Sequence, residues 1–135
     1  MIGIVVVTHA GLADELLHAT ELILGPLKAV KSVSIGREMS VDVAKEELLK
    51  AVSLVGKDGD GTLILTDLFG GTPTNISAEL LQGGLVDILT GVNLPMLIKG
   101  VGARSNQNLD GLAVLLKDYA QSAIIRPAEL LGSVR

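Results

Sequence analysis

The run Ile2-Gly3-Ile4-Val5-Val6-Val7-Thr8 constrains this chain more than any other stretch. It is rich in β-branched side chains, carries no charge and has no wet face to alternate with a dry one. It therefore reads as a strand covered on both sides, which is the habit of parallel sheets. A strand of that kind needs helices above and below it, and the following sequence supplies strands and helices in alternation.

From Gly11 to Leu24 the apolar residues Leu12, Leu16, Leu17, Ile23 and Leu24 return at helical spacing, and Gly25-Pro26 ends the segment. A looser strand, Ala29 to Ile35, suits a sheet edge, and a helix follows from the N-cap Ser40 to Val55. Thr62 to Thr66 is a second buried strand. A helix from about Pro73 to Leu81 opens with proline where its missing N–H costs nothing. Leu85 to Thr90 is the fourth strand, with short helices expected near Pro95 to Val101 and Leu109 to Ala120. The last apolar stretch, Ala123-Ile124-Ile125, precedes Arg126-Pro127 and is expected to form an edge strand.

This pattern predicts an α/β fold with right-handed crossovers and helices on both faces of a parallel sheet, ordered 2-1-3-4 as in flavodoxin-like proteins. Residues 1–135 are expected to make one domain, since 135 residues suit a single core and no repeat or linker interrupts them. With one Phe (Phe69), one Tyr (Tyr119) and no Trp, that core must be aliphatic. The same scarcity of aromatics, with a formal charge of −4 and no basic tract, argues against nucleic-acid binding. Without cysteine there is no disulfide or thiolate metal site, and two histidines are too few for a metal cluster. Asp58, Asp60 and Asp87 read as solvated. The opening residues lack the marks of a signal peptide and no apolar run reaches membrane-spanning length, so a cytoplasmic protein without direct membrane insertion is expected.

His9 stands at the end of the first strand and Asp67 at the end of the third. In a 2-1-3-4 sheet these two ends flank the point where strand order reverses, which is where ligands of such sheets bind. A neutral imidazole has one nitrogen with a free lone pair and is a ready nucleophile. A carboxylate accepting from Nδ1–H would leave Nε2 to attack, and Asp67 is the candidate for that role. Two helix N-termini near by, after Ala10-Gly11 and at Thr72-Pro73, offer N–H donors to phosphoryl oxygens. Gly70 and Gly71 permit close backbone approach, and the Thr72 hydroxyl is an extra donor. His18, in mid-helix, reads as a solvated residue. No Gly-x-x-x-x-Gly-Lys-Ser/Thr and no Gly-x-Gly-x-x-Gly after the first strand is present, so nucleotide binding lacks support, and no cofactor is expected.

Ile4-Val5-Val6-Val7-Thr8-His9, Thr66-Asp67-Leu68-Phe69-Gly70-Gly71-Thr72-Pro73 with Asn75, and Gly91-Val92-Asn93-Leu94-Pro95-Met96-Leu97 occur in this order. Together they resemble the enzyme IIA component, mannose type, of the bacterial sugar phosphotransferase system, over nearly the whole chain. The resemblance implies that His9 is phosphorylated at Nε2 by the phosphocarrier HPr and passes the group to a IIB protein. It also implies that Asp67 orients Nδ1, and that Thr72 and the Gly71 region bind phosphate. Homodimers in which a C-terminal strand crosses to the partner's sheet are implied as well, with Ala123 to Ile125 matching that strand. Ala10 departs from the glycine expected there. The chain also ends soon after the expected swapped strand, so its IIB acceptor is expected to be a separate protein. Alternatives are a regulatory phosphoacceptor without a dedicated transporter, the phosphotransfer subunit of dihydroxyacetone kinase and a flavin-binding domain. The Gly70-Gly71-Thr72-Pro73 and Gly91-Val92-Asn93-Leu94-Pro95 motifs look mannose-type. The first loop lacks the aromatics and Ser/Thr richness that a flavin needs.

Overall fold

A computed structural model describes residues 1–132, so the last three positions of the expected domain lie outside the described residues. The chain folds as a single α/β domain around a parallel sheet of order β2-β1-β3-β4. Its strands are β1 (Gly3–His9), β2 (Val30–Ile35), β3 (Thr62–Thr66) and β4 (Val86–Leu89). The helices are α1 (Leu12–Leu24), α2 (Val41–Val55), α3 (Thr72–Ala78), α4 (Leu94–Ala103), α5 (Leu109–Ser122) and a final turn of helix, α6 (Pro127–Leu130). A short 3₁₀ turn, Arg104–Asn106, links α4 to α5.

The uncharged first run is explained by burial on both sides. Ile4 and Val6, with Leu63 and Leu65 of β3, pack under α1, α4 and α5 against residues such as Leu17, Leu97, Leu112 and Leu116. Val5 and Val7, with Ile64, face the other way, against Leu48, Ala51 and Val55 of α2 and Ile76 of α3. Side chains alternate faces along a strand, so β1 feeds two aliphatic cores at once, and its one interior polar side chain, the buried Thr8, is satisfied by the Ala13 N–H. Each fully buried aliphatic side chain contributes roughly 1.5–3 kcal/mol. Among the described residues no helix is long and apolar enough to cross a membrane.

Several boundaries differ from the expectation. β1 runs on through His9, which pairs in parallel with Ile35, and the next N–H, that of Ala10, still bonds the Ile35 carbonyl at 2.9 Å. β4 is shorter at both ends. α3 stops at Ala78, where its interior i→i−4 bonding gives way to the tighter Leu80 N–H to Ser77 carbonyl turn. The expected edge strand at Ala123–Ile125 makes no ladder pairing among the described residues. The Ala123 N–H instead caps α5 on the Tyr119 carbonyl. Only residues 124–126 then precede α6, too few to turn back along β4 in the same sheet. Ile124 and Ile125 consequently stand exposed.

Candidate active site

The carboxyl ends of β1 and β3 lie side by side, because Val7 pairs with Thr66. His9 and Asp67 follow directly, and Asp67 Oδ2 receives two hydrogen bonds from His9. One comes from the ring Nδ1 at 2.8 Å and one from the backbone N–H at 2.9 Å. The other carboxylate oxygen accepts the Leu68 N–H at 3.0 Å. Burial pushes the Asp67 pKa up, but the hydrogen bonds from His9 and the attraction of its ring outweigh burial and hold the carboxyl below its ordinary 3.8. An ionised carboxylate only accepts, so the hydrogen belongs on Nδ1 and the neutral ring keeps its free lone pair on Nε2. The Asp67 side chain is 10% exposed and that of His9 48%, so the orienting group is shielded and the ring is open.

Gly71 lies against the other edge of the ring. A Cβ built there would fall 2.9 Å from His9 Cε1 and 3.0 Å from Nε2, and the residue has φ +89°. Both the space and the backbone conformation therefore demand glycine. Thr72, the first residue of α3, joins His9, Ala10, Gly36, Arg37 and Met39 around a cleft of about 430 Å³. Gly11 and Gly70 occupy the two adjoining turns. Gly11 sits at the N-cap of α1 without a capping side chain, and Thr8 takes over by accepting the Ala13 N–H at 2.7 Å. A Cβ on Gly70 would meet only Leu68 Cδ1, at 3.9 Å, so nothing steric requires glycine there. Ala10 has φ +52°, the left-handed conformation for which glycine is the expected residue. An L-residue in this region costs about 1 kcal/mol or more.

Other sequence candidates lie elsewhere. His18 is exposed on α1 with Nδ1 3.4 Å from Glu15 Oε1. Asp58 and Asp60 both pair with the Met1 ammonium, and Asp87 accepts the Ile88 N–H. Among the described residues no group of three or more His, Cys, Asp or Glu is gathered to hold a metal.

Sequence reasoning misses a hydroxyl chain under the glycine loop. Thr74 donates to the Leu68 carbonyl at 2.6 Å, which commits its proton, so buried Thr66, 2.7 Å from the Thr74 oxygen, donates to it in turn. This chain ties α3 and β3 to the segment between Asp67 and Gly71. Two threonines flanking a Gly-rich turn are its only signal. Arg37 is missed as well, since nothing in its local sequence points toward His9.

These features first define a class: a flavodoxin-like parallel sheet with a carboxylate-oriented, solvent-open imidazole at its topological switch point. Residues 3–116 match the family profile EIIA-man, described as the PTS system fructose IIA component, and the chain belongs to that family. It is 33% identical over 110 residues to the sorbose-specific EIIA component of Lacticaseibacillus casei, covering 81% of this chain and 78% of that one. The fructose-specific EIIA component of Bacillus subtilis is 26% identical over 136 residues, covering 100% of this chain and 92% of that one. The crystal structure of an EIIA component from Streptococcus agalactiae superposes with a TM-score of 0.85 at 30% identity, covering 96% of this chain and 99% of that one. As a member of the mannose-type IIA family, the protein is a phosphotransferase component with a phosphotransfer role in sugar uptake.

Proposed function

We propose that His9 carries a phosphoryl group between two protein partners. Nε2 attacks the phosphorus of a phosphohistidine on HPr. The new Nε2–P bond forms as the donor's N–P bond breaks, and the donor imidazole leaves neutral. No proton has to depart, because the ring keeps its Nδ1–H and becomes an N-phosphorylated imidazolium. The observation that carries this reading is the double hydrogen bond from His9 to Asp67 Oδ2, through Nδ1 at 2.8 Å and the backbone N–H at 2.9 Å. It holds the ring in the tautomer and orientation the attack needs, and the carboxylate stabilises the positive ring that results.

The phosphoryl oxygens would be received by the Thr72 hydroxyl and by backbone N–H groups around Gly70-Gly71, with Ala10 and Gly11 forming the opposite wall. A separate IIB protein then takes the group from Nε2 in the reverse of the first step, during uptake of a mannose-family sugar selected by membrane partners. The open edge of β4 and the exposed Ile124 and Ile125 support a homodimer in which this segment pairs across to a second copy.

The test is incubation with phosphorylated HPr followed by mass spectrometry. One phosphoryl group per chain is expected, on His9 and absent in His9→Ala. Label retained by His9→Ala would refute the assignment. Charged protein is then mixed with candidate IIB acceptors, one of which is expected to discharge it.

A further inference from the structure

A phosphoryl group on Nε2 brings roughly two negative charges beside a ring whose own new positive charge is already matched by the ionised Asp67 carboxylate. The backbone donors near by offset this only in part. A helix N-terminus is equivalent to about half a charge, and Pro73 removes one N–H from the first turn of α3. The site therefore calls for a full counter-charge, and Asp67 has the wrong sign to provide it.

Among the described residues lining the cleft beside His9, Arg37 is the one cation, and no carboxylate lines it. Its position is tied to the reacting strand. Ile35 pairs with His9 and accepts the Ala10 N–H at 2.9 Å, and the turn carrying Arg37 is closed by the Met39 N–H on the Gly36 carbonyl at 3.2 Å. Lys45 and Arg126 are engaged by Glu79 and Glu129, but no ion pair or hydrogen bond among the described residues engages the Arg37 guanidinium. A free guanidinium presents a planar fork of donors suited to phosphoryl oxygens.

We propose that Arg37 closes on the phosphoryl oxygens once the group sits on His9, supplying the counter-charge that the Asp67 carboxylate makes necessary. This rests on the reading of His9 as the phosphoryl acceptor. Arg37 stabilises the charged carrier relative to the uncharged one, and so sets how readily the protein draws phosphate from its donor.

Wild-type, Arg37→Ala and Arg37→Lys proteins would be charged both with phosphoramidate, a small donor that needs no docking, and with phosphorylated HPr. The second ionisation of the phosphoryl group, followed by ³¹P NMR, is expected to lie about one pH unit higher in Arg37→Ala. The transfer equilibrium with HPr is expected to shift roughly tenfold toward phosphorylated HPr. Arg37→Lys should recover most of both changes. An unchanged phosphoryl titration in Arg37→Ala overturns the proposal. That includes the case where transfer from HPr alone is slowed, which would make Arg37 a docking residue for the donor. A wild-type chain that accepts no label from either donor defeats the His9 reading itself, and this inference with it.

Discussion

The two ends of the sheet hold the same kinds of groups and use them in opposite ways. At the carboxyl end His9 spends one ring nitrogen on Asp67 and leaves the other open. At the amino end Arg104, 3% exposed, turns its guanidinium inward. Nη1 donates to the carbonyls of Ile2 at 3.3 Å and Ala29 at 3.2 Å, and Nη2 donates to that of Lys28. Burial lowers its pKa from the ordinary guanidinium value, yet a guanidinium so placed remains charged. Each end also bends through an alanine in the left-handed region, Ala10 at φ +52° and Ala29 at φ +51°. At the amino end the bend is locked, because the Ala29 carbonyl accepts both the Ile4 N–H and Arg104. The two Nη groups of Arg104 meet backbone acceptors and tie segments together, while its buried Nε has no partner among the described residues. A polar group with a lone pair left facing solvent is available for chemistry.

If that division is right, the largest stability loss comes from the amino end. Arg104→Ala removes three hydrogen bonds, taking this donor from the Ile2 and Lys28 carbonyls while Ala29 keeps the Ile4 N–H, and is expected to destabilise the fold by about 3 kcal/mol in urea unfolding. The fraction that remains folded should still accept phosphate on His9, and its loss of labelling without loss of stability would break the comparison. Gly71→Ala is the mirror case. Its Cβ displaces the ring or the loop, so phosphoryl acceptance is expected to fall roughly 100-fold, read as the initial rate of labelling. Because the loop is exposed, stability should change by only about 1 kcal/mol. The smallest effects sharpen the comparison by pairing the bends. Ala10→Gly and Ala29→Gly each relieve backbone strain, for an expected gain of about 0.5–1 kcal/mol after the added freedom of the unfolded chain is counted. Ala29→Gly should leave labelling untouched, whereas Ala10→Gly, in the wall of the cleft, is the one of the pair expected to alter its rate.

The features legible in the residues themselves follow from local physics. The unbroken apolar run of β1, the helical spacing after Gly11, the N-cap Ser40 and the proline opening α3 act within a few residues, and each appears where its pattern places it. Ser40 Oγ does accept the Val43 N–H, at 3.1 Å. His9 and Asp67 are legible through one further step, because alternating strands and helices imply a parallel sheet, and a parallel sheet puts ligands at the strand ends flanking its switch point. The C-terminal triplet has the composition of a strand but forms none within one chain, because strand formation needs a partner that the chain does not bring to it.

The order of elements, the doubly covered sheet and the meeting of His9 with Asp67 were thus determined by the sequence, through periodicity and a rule of topology. Tertiary structure alone decided the rest. It turned Arg104 onto carbonyls 75 to 102 residues away in sequence and set Gly71 against the far edge of the His9 ring. It also hung the glycine loop from Thr66 and Thr74 and placed Arg37 beside His9. The physical reason is that these contacts join segments with no local pattern in common, so their geometry exists only once the sheet has brought their strands into register.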